Sequence, residues 1–139
     1  MSVSLTRTVT FHARHRYWVS GWTADENRRQ FGWTSEEPAH GHHYQCAVSV
    51  AGPLDPTTTM IMDLSALDQI LAEEVLVLDG CELSATVPEF ANQGQQPSCE
   101  ALASVLFARL APRMPSGVSL ARIRITEDAT LHADCTGLP

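Results

Sequence analysis

Two histidines separated by a single residue, His40 and His42, form the pattern in this chain with the clearest chemical use. If the segment is a strand, its two-residue period places both imidazoles on one face. Zinc takes three or four donors in proteins, and a catalytic zinc site keeps one position for water or substrate. A further donor must come from elsewhere, and His15, at the end of the first predicted strand, is the natural neighbour. The short pattern also fits two ordinary surface histidines, so both interpretations stay open at this point.

The other three histidines have no partner at metal-ligand spacing. In a strand, His43 points away from His42, and His12 lies three residues from His15 and therefore on the opposite face. His132 stands in a late segment with no second histidine near it in the sequence. We predict that His12, His43 and His132 are structural or surface residues.

Length and composition favour one globular domain over residues 1–139, with a hydrophobic fraction of 44%. The net charge of −7 argues against nucleic acid as a partner, although all nine cationic residues are arginines and five of them lie in the first 29 residues. There is no apolar run of membrane-spanning length and no secretory pattern, so we expect no membrane partner and a cytoplasmic location. The four cysteines form no C-x-x-C pair and are predicted to be free thiols.

The elements that must position these residues follow from the spacing of apolar groups. Alternating patterns predict strands at about 5–15, 43–52 and 118–126, with shorter strands at 59–62 and 129–135. Helical spacing predicts helices at about 64–76 and 99–111, and a short helix after Thr23. Ser98 is the expected N-cap of the later long helix. The order of elements predicts an α+β protein whose antiparallel sheet carries helices on one face.

Several segments together resemble the 6-pyruvoyl-tetrahydropterin synthase / 6-carboxytetrahydropterin synthase family. They are FHARH at 11–15, HGHHY at 40–44, LDPTTTMIMDLSALD at 54–68, LD at 78–79, PSCE at 97–100 and ITED at 125–128, in the family's order. The resemblance implies a tunnelling fold, in which an antiparallel four-stranded sheet carries two helices on one face. It also implies an oligomeric barrel: three subunits close twelve strands, two trimers form a homo-hexamer, and the sites lie between subunits.

The resemblance also assigns roles to individual residues. Three of them match the family's zinc ligands and make Zn²⁺ the expected cofactor: His15, His40 and His42. Glu127 matches the acidic residue that anchors the pterin, and one carboxylate suits the adjacent N–H and amino groups of that ring. Ser98, Cys99 and Glu100 match a P-T-x-E segment that lines the pterin pocket, although plain helix capping is an alternative role for it.

Two positions depart from the family pattern. Its catalytic cysteine stands six residues before the HGH motif, or four residues before it in bacterial members, and here those positions are Thr34 and Glu36. Its L-D-H histidine, a partner in proton transfer, is replaced by Gly80. Because a threonine hydroxyl is far too weak an acid to replace a thiolate near neutral pH, the usual proton-transfer groups are missing.

A glutamate offers a substitute base. A variant branch of the family carries the pattern E-x-x-H-G-H, which begins here at Glu37, and it cleaves the side chain of dihydroneopterin triphosphate to give 6-hydroxymethyl-dihydropterin. Glu36 is the second candidate, and an exposed acidic loop is the alternative role for both residues. Since Gly80 does not fit that branch either, Asp79 and Cys81 are further polar candidates for catalysis.

Two hypotheses about function follow. The first is a zinc-dependent lyase that acts on dihydroneopterin triphosphate or a related reduced pterin, with a glutamate as the base. The second is a diverged paralogue that binds a pterin- or purine-like ligand without the synthase reaction, or that acts on a different substrate.

Overall fold

A computed structural model describes residues 2–137 and contains one four-stranded antiparallel sheet. Its strands are β1 (Ser4–His15), β2 (His40–Ala51), β3 (Ser119–Asp128) and β4 (Leu131–Cys135), and they lie side by side in that order. The α+β class and the four long or late strands predicted from the sequence are confirmed. No helix among the described residues is long and apolar enough to cross a membrane.

The helical elements lie in the connections between strands. They are α1 (Ala24–Phe31), α2 (Leu64–Glu74), α3 (Leu83–Thr86), α4 (Pro88–Ala91) and α5 (Cys99–Leu110), with 3₁₀ turns at Gly32–Ser35, Leu76–Leu78 and Ala111–Arg113. Side chains cap three of them, because Thr23, Asp63 and Ser98 accept hydrogen bonds from the first-turn amides of α1, α2 and α5. The predicted helices are confirmed, whereas the one-turn helices α3 and α4 were not predicted.

Alternation along the strands decides which face carries the core. On β1, Phe11, Ala13 and His15 are buried, whereas the intervening His12 and Arg14 are exposed. Helix α5 packs on β3 and β4, and α2 contacts α5. The two long helices therefore contribute to the core on one face of the sheet, as predicted, and the side chains that alternate with the core residues of β1 are exposed on the other face.

The predicted strand at residues 59–62 is wrong. The segment follows a turn in which Asp55 Oδ1 accepts hydrogen bonds from the amides of Thr57 and Thr58, and Thr59 has a φ of +57°. A carboxylate that satisfies successive amides favours a turn over strand pairing. The second strand also begins at His40 instead of residue 43, which brings the whole HGH motif into the sheet.

Candidate metal centre

The register of the sheet brings three histidines together. His15 at the end of β1 is the Cα partner of His40 at the start of β2, and His42 follows two residues later on the same face. The ring centroid of His15 lies 4.5 Å from that of His40 and 5.0 Å from that of His42. The ring centroids of His40 and His42 are 5.0 Å apart. One ligand nitrogen from each ring lies within 4.8 Å of the others, so the group has the dimensions of a metal site.

The orientation of His15 is fixed by a contact on its far side. Its Nδ1 donates to the carbonyl oxygen of Pro97 at 2.7 Å, so its Nε2 carries a free lone pair. The ring is only 1% exposed, and burial lowers its pKa to about 4, with smaller contributions from His40 and His42. A neutral imidazole held by a backbone carbonyl is the usual arrangement of a metal-ligating histidine.

The two histidines of β2 are nearer to solvent. Burial, followed by the charge of His42, lowers the pKa of His40. The Trp33 ring lies 4.7 Å from the His40 ring while remaining 65% exposed. The group is thus buried at His15 and more open at His40, an arrangement that admits a ligand from one side.

Three buried polar atoms around this group have no hydrogen-bond partner among the described residues: His15 Nε2, His42 Nε2 and Glu127 Oε1. His15 Nε2 is an acceptor because the Nδ1 of this ring carries the proton, and Glu127 Oε1 is an acceptor when the carboxylate is ionised. Buried acceptors without a donor are costly, and a cation satisfies them. Imidazole nitrogens with a carboxylate oxygen are donors typical of zinc. The residues therefore fit the metal that the sequence predicts at this place.

The predicted pterin-pocket residues lie beside this group. Glu127 on β3 is 8% exposed, and burial raises its pKa. Cys99 is buried and its thiol donates to the Ile125 carbonyl at 3.0 Å, whereas Glu100 is exposed in the first turn of α5. Ser98 caps α5 by accepting from the Ala101 amide at 3.1 Å, so its capping role is observed.

Tyr17 belongs to the same region and was not singled out in the sequence. Its ring lies 5.0 Å from that of His15. Burial raises the pKa of its phenol, and the charges of Glu127 and Glu100 raise it further. Its position two residues after His15 could have pointed to it, because such residues share a face while a strand continues.

The proposed glutamate bases occupy a different place. The Glu37 carboxylate is 78% exposed and accepts from Arg16 Nη1 at 2.6 Å. The same guanidinium donates to the Ser35 carbonyl through Nε and Nη2, so Arg16 ties this loop to the end of β1. Glu36 is exposed, and its amide donates to the Trp33 carbonyl. Neither carboxylate belongs to the histidine group within residues 2–137.

The remaining catalytic candidates also make local contacts. Asp79 Oδ1 accepts from the His12 amide at 2.8 Å, and the Cys81 thiol donates to the Val77 carbonyl at 3.4 Å. The backbone amides of Gly80 and Arg14 donate to the carbonyls of His12 and Cys81, respectively. This segment is therefore bound along β1, and neither side chain joins the histidine group in the described part of the chain.

The other histidines and the cysteines lie where the sequence predicts. His12 and His43 form a cross-strand pair on the exposed face, with ring centroids 4.5 Å apart, and His132 is exposed on β4. The four cysteines are free thiols.

The amino-acid sequence of the chain is similar to those of known proteins. The sequence model of 6-pyruvoyl tetrahydropterin synthase matches residues 4–137. The 6-pyruvoyl tetrahydrobiopterin synthase of Homo sapiens is 32% identical over 124 residues, covering 88% of this chain and 83% of that protein. That of Dictyostelium discoideum is 30% identical over 128 residues, covering 91% and 92%.

Solved structures agree with the sequence comparisons. Caenorhabditis elegans 6-pyruvoyl tetrahydropterin synthase superposes with a TM-score of 0.89 at 27% identity, over 99% of this chain and 97% of that one. A catalytic-residue mutant of the Plasmodium vivax enzyme, in which a glutamate is replaced by cysteine, has a TM-score of 0.65 at 11% identity over 97% of both chains, which shows the shared fold alone. With a family model matched over nearly its whole length and relatives above 30% identity, the chain belongs to the 6-pyruvoyl tetrahydropterin synthase family.

Proposed function

We propose that the chain is a zinc-dependent lyase of pterin metabolism that acts on dihydroneopterin triphosphate or a related reduced pterin. One observation carries the proposal: three histidine nitrogens lie together next to Glu127, whose buried Oε1 has no hydrogen-bond partner within residues 2–137. The first group provides the donors for a metal, and the second provides an acceptor for the polar edge of a pterin. The names of the relatives, 6-pyruvoyl tetrahydrobiopterin synthases, support a pterin as the ligand.

Each part of the site has a defined task in this proposal. Glu127 accepts two hydrogen bonds from adjacent N–H groups of the pterin and so orients its side chain. His15, His40 and His42 hold the zinc ion, which when bound lowers the pKa of a side-chain hydroxyl of the substrate. Tyr17 and Trp33, next to His15 and His40, supply aromatic walls.

The proton is moved by a carboxylate, for which Glu37 is the first candidate and Glu36 the second. Glu37 stands three residues before His40 and is on the surface in the ion pair with Arg16. For Glu37 to act as a base, its ion pair with Arg16 must therefore break, or the pair must move towards the substrate. A glutamate is described as a catalytic residue in the Plasmodium vivax enzyme, and this supports a catalytic carboxylate in the proposal.

A second candidate function is binding of a pterin- or purine-like ligand without the synthase reaction. It is favoured by the contacts of the residues that replace the usual proton-transfer groups. The Thr34 hydroxyl donates to the Phe31 carbonyl at 2.6 Å, and position 80 is a glycine that has no side chain to titrate. Asp79 already accepts from the backbone of β1.

The two functions are separated by incubating the protein with dihydroneopterin triphosphate, with zinc and after removal of metal by a chelator. We expect zinc-dependent cleavage of the side chain, and little or no 6-pyruvoyl-tetrahydropterin, because loss of a general base or acid typically costs ~10²–10⁴-fold each. Glu37→Gln should abolish the product and keep zinc, whereas Glu36→Gln serves as the matched control. Binding without any turnover would support the second function, and efficient formation of 6-pyruvoyl-tetrahydropterin would contradict the carboxylate mechanism.

A further inference from the structure

The carbonyl group that orients His15 belongs to a segment that a neighbouring side chain holds in place. Gln96 binds both backbone groups of Trp18: its Oε1 accepts from the Trp18 amide at 2.8 Å, and its Nε2 donates to the Trp18 carbonyl at 3.0 Å. These two hydrogen bonds form the Gln96 clamp. Trp18 follows His15 by three residues, and Pro97 follows Gln96 directly. The clamp and the contact of Pro97 with His15 therefore join the same two segments of the chain.

The other side of Pro97 is fixed as well. The Ser98 amide donates to the Gln96 carbonyl at 2.8 Å, and the Ser98 hydroxyl caps α5. Proline has a nearly fixed φ, so the chain has little freedom between these contacts. The Pro97 carbonyl thus keeps one direction, and the clamp sets how closely it approaches His15.

A second group competes for the same nitrogen of His15. The Tyr44 hydroxyl lies 3.3 Å from His15 Nδ1, compared with 2.7 Å for the Pro97 oxygen. A carbonyl oxygen only accepts and so keeps the proton on Nδ1, whereas a hydroxyl can donate to an unprotonated Nδ1. When the Pro97 carbonyl withdraws, Tyr44 can donate, and the single proton of a neutral imidazole then stands on Nε2.

The second nitrogen of His15 is the one left for a metal. Nε2 is buried and has no hydrogen-bond partner within residues 2–137. A metal binds this nitrogen only through a free lone pair. We propose that Gln96 is a positioning residue for the metal centre: by holding the Pro97 carbonyl on Nδ1, it keeps Nε2 of His15 unprotonated. The proposal rests on the three-histidine site of the proposed function and adds the residue that prepares one of its ligands.

The test determines the tautomer of His15 in the metal-free full chain, so it needs neither zinc nor turnover. Proton–nitrogen correlation spectra of the isotope-labelled protein show which ring nitrogen carries the proton, and the His15 signals are assigned by their loss in His15→Gln. We expect the Nδ1–H tautomer in the wild type and the Nε2–H tautomer as the major form in Gln96→Ala. Gln95→Ala is the matched control and should resemble the wild type, because that side chain is exposed. A Gln96→Ala variant that keeps the Nδ1–H tautomer would overturn the proposal.

A double variant separates this role from a general loss of structure. Tyr44→Phe removes the competing hydroxyl and keeps the ring that stacks on Phe11. In the Gln96→Ala background it should move the population back towards the Nδ1–H tautomer, because the hydroxyl donor to Nδ1 is gone. An unchanged population in the double variant would contradict the proposed competition.

Zinc affinity, measured by competition with a chromophoric chelator, gives the consequence for the site. Groups that orient metal-ligating histidines typically contribute about 10–100-fold to affinity, so Gln96→Ala should bind zinc at least about tenfold more weakly. Gln95→Ala should stay within about threefold of the wild type. Equal affinity of Gln96→Ala and the wild type would also overturn the proposal. Expected tautomers and zinc affinities together with absent turnover would instead contradict the proposed function alone.

Discussion

His15 shows how one residue sets the properties of the histidine group. Its assignment as a ligand followed from the position of the residue at the end of a strand and from the family resemblance. The contact that orients it, Nδ1–H to the Pro97 carbonyl, joins residues 82 positions apart and leaves no trace in local spacing. The place of His15 beside His40 and His42 was therefore predictable from the sequence, whereas its tautomer and its lowered pKa required the packed structure.

The pKa of His15 predicts a pH dependence of stability in the metal-free protein. In the fold its pKa falls from 6.5 to about 4, so below pH 6.5 the unfolded chain binds more protons than the native one. This contribution to stability is complete above pH 6.5 and is lost as the pH falls towards 4. At about 1.4 kcal/mol per pH unit, the loss reaches up to about 3 kcal/mol.

This effect is checked by denaturant unfolding of the wild type and of His15→Gln, each at pH 7 and at pH 4.5. The amide of glutamine can still donate to Pro97 but does not titrate. The difference in unfolding free energy between the wild type and the variant should shrink as the pH falls. A difference that stays constant with pH would show that His15 does not titrate as described.

The ion pair of the candidate base Glu37 could not be predicted from the sequence. The spacing of Glu37 before His40 identifies it as a candidate, but spacing does not reveal the competing partner, Arg16, which lies 21 residues earlier. Ion pairs of exposed groups depend on loop geometry that no local pattern encodes. The role of Glu37 thus remains a prediction that the activity of its variants must test.

At the scale of elements, the strands that carry the site were predictable because alternation and burial coincide in them. At the C-terminal end of β1, the buried residues Phe11, Ala13 and His15 alternate with exposed residues. This is the pattern of a half-buried strand. The segment at 59–62 looked similar but lies beyond the turn organised by Asp55. A side chain that caps backbone amides overrode the propensity of β-branched residues there.

The N-cap of helix α5 gives a prediction about the stability of the protein. Ser98 Oγ accepts from the Ala101 amide, so Ser98→Ala should lower the unfolding free energy by about 1 kcal/mol. Ser98→Asp should recover most of this loss, because aspartate is an equally good N-cap. Ser65→Ala, in the first turn of α2, is the control and should stay within about 0.5 kcal/mol of the wild type. Equal effects of the two alanine variants in urea unfolding would refute the capping role.

At the scale of the whole molecule, the sheet of the described residues has two outer edges, and residues 79–82 cover the β1 edge only near His12 and Arg14. The order β1-β2-β3-β4 leaves β1 and β4 as edge strands, and long unprotected edges favour pairing with another chain. Together with the barrel implied by the family resemblance, this leads us to predict a homo-hexamer, or at least a trimer. Light scattering at micromolar concentration should give three or six times the 15.2 kDa chain mass, and a monomer would contradict the prediction.

The metal content of the purified protein decides whether the three histidines hold a metal. The purified wild type should contain about one zinc per chain, and His42→Ala should contain less than about 0.3, because a three-histidine site has no spare protein ligand. His43→Ala is the matched control, since its ring pairs with His12 on the opposite face of the sheet, and it should keep the wild-type content. A wild type with less than about 0.3 equivalents of any transition metal after gentle purification, or a His42→Ala variant that keeps its zinc, would contradict the account.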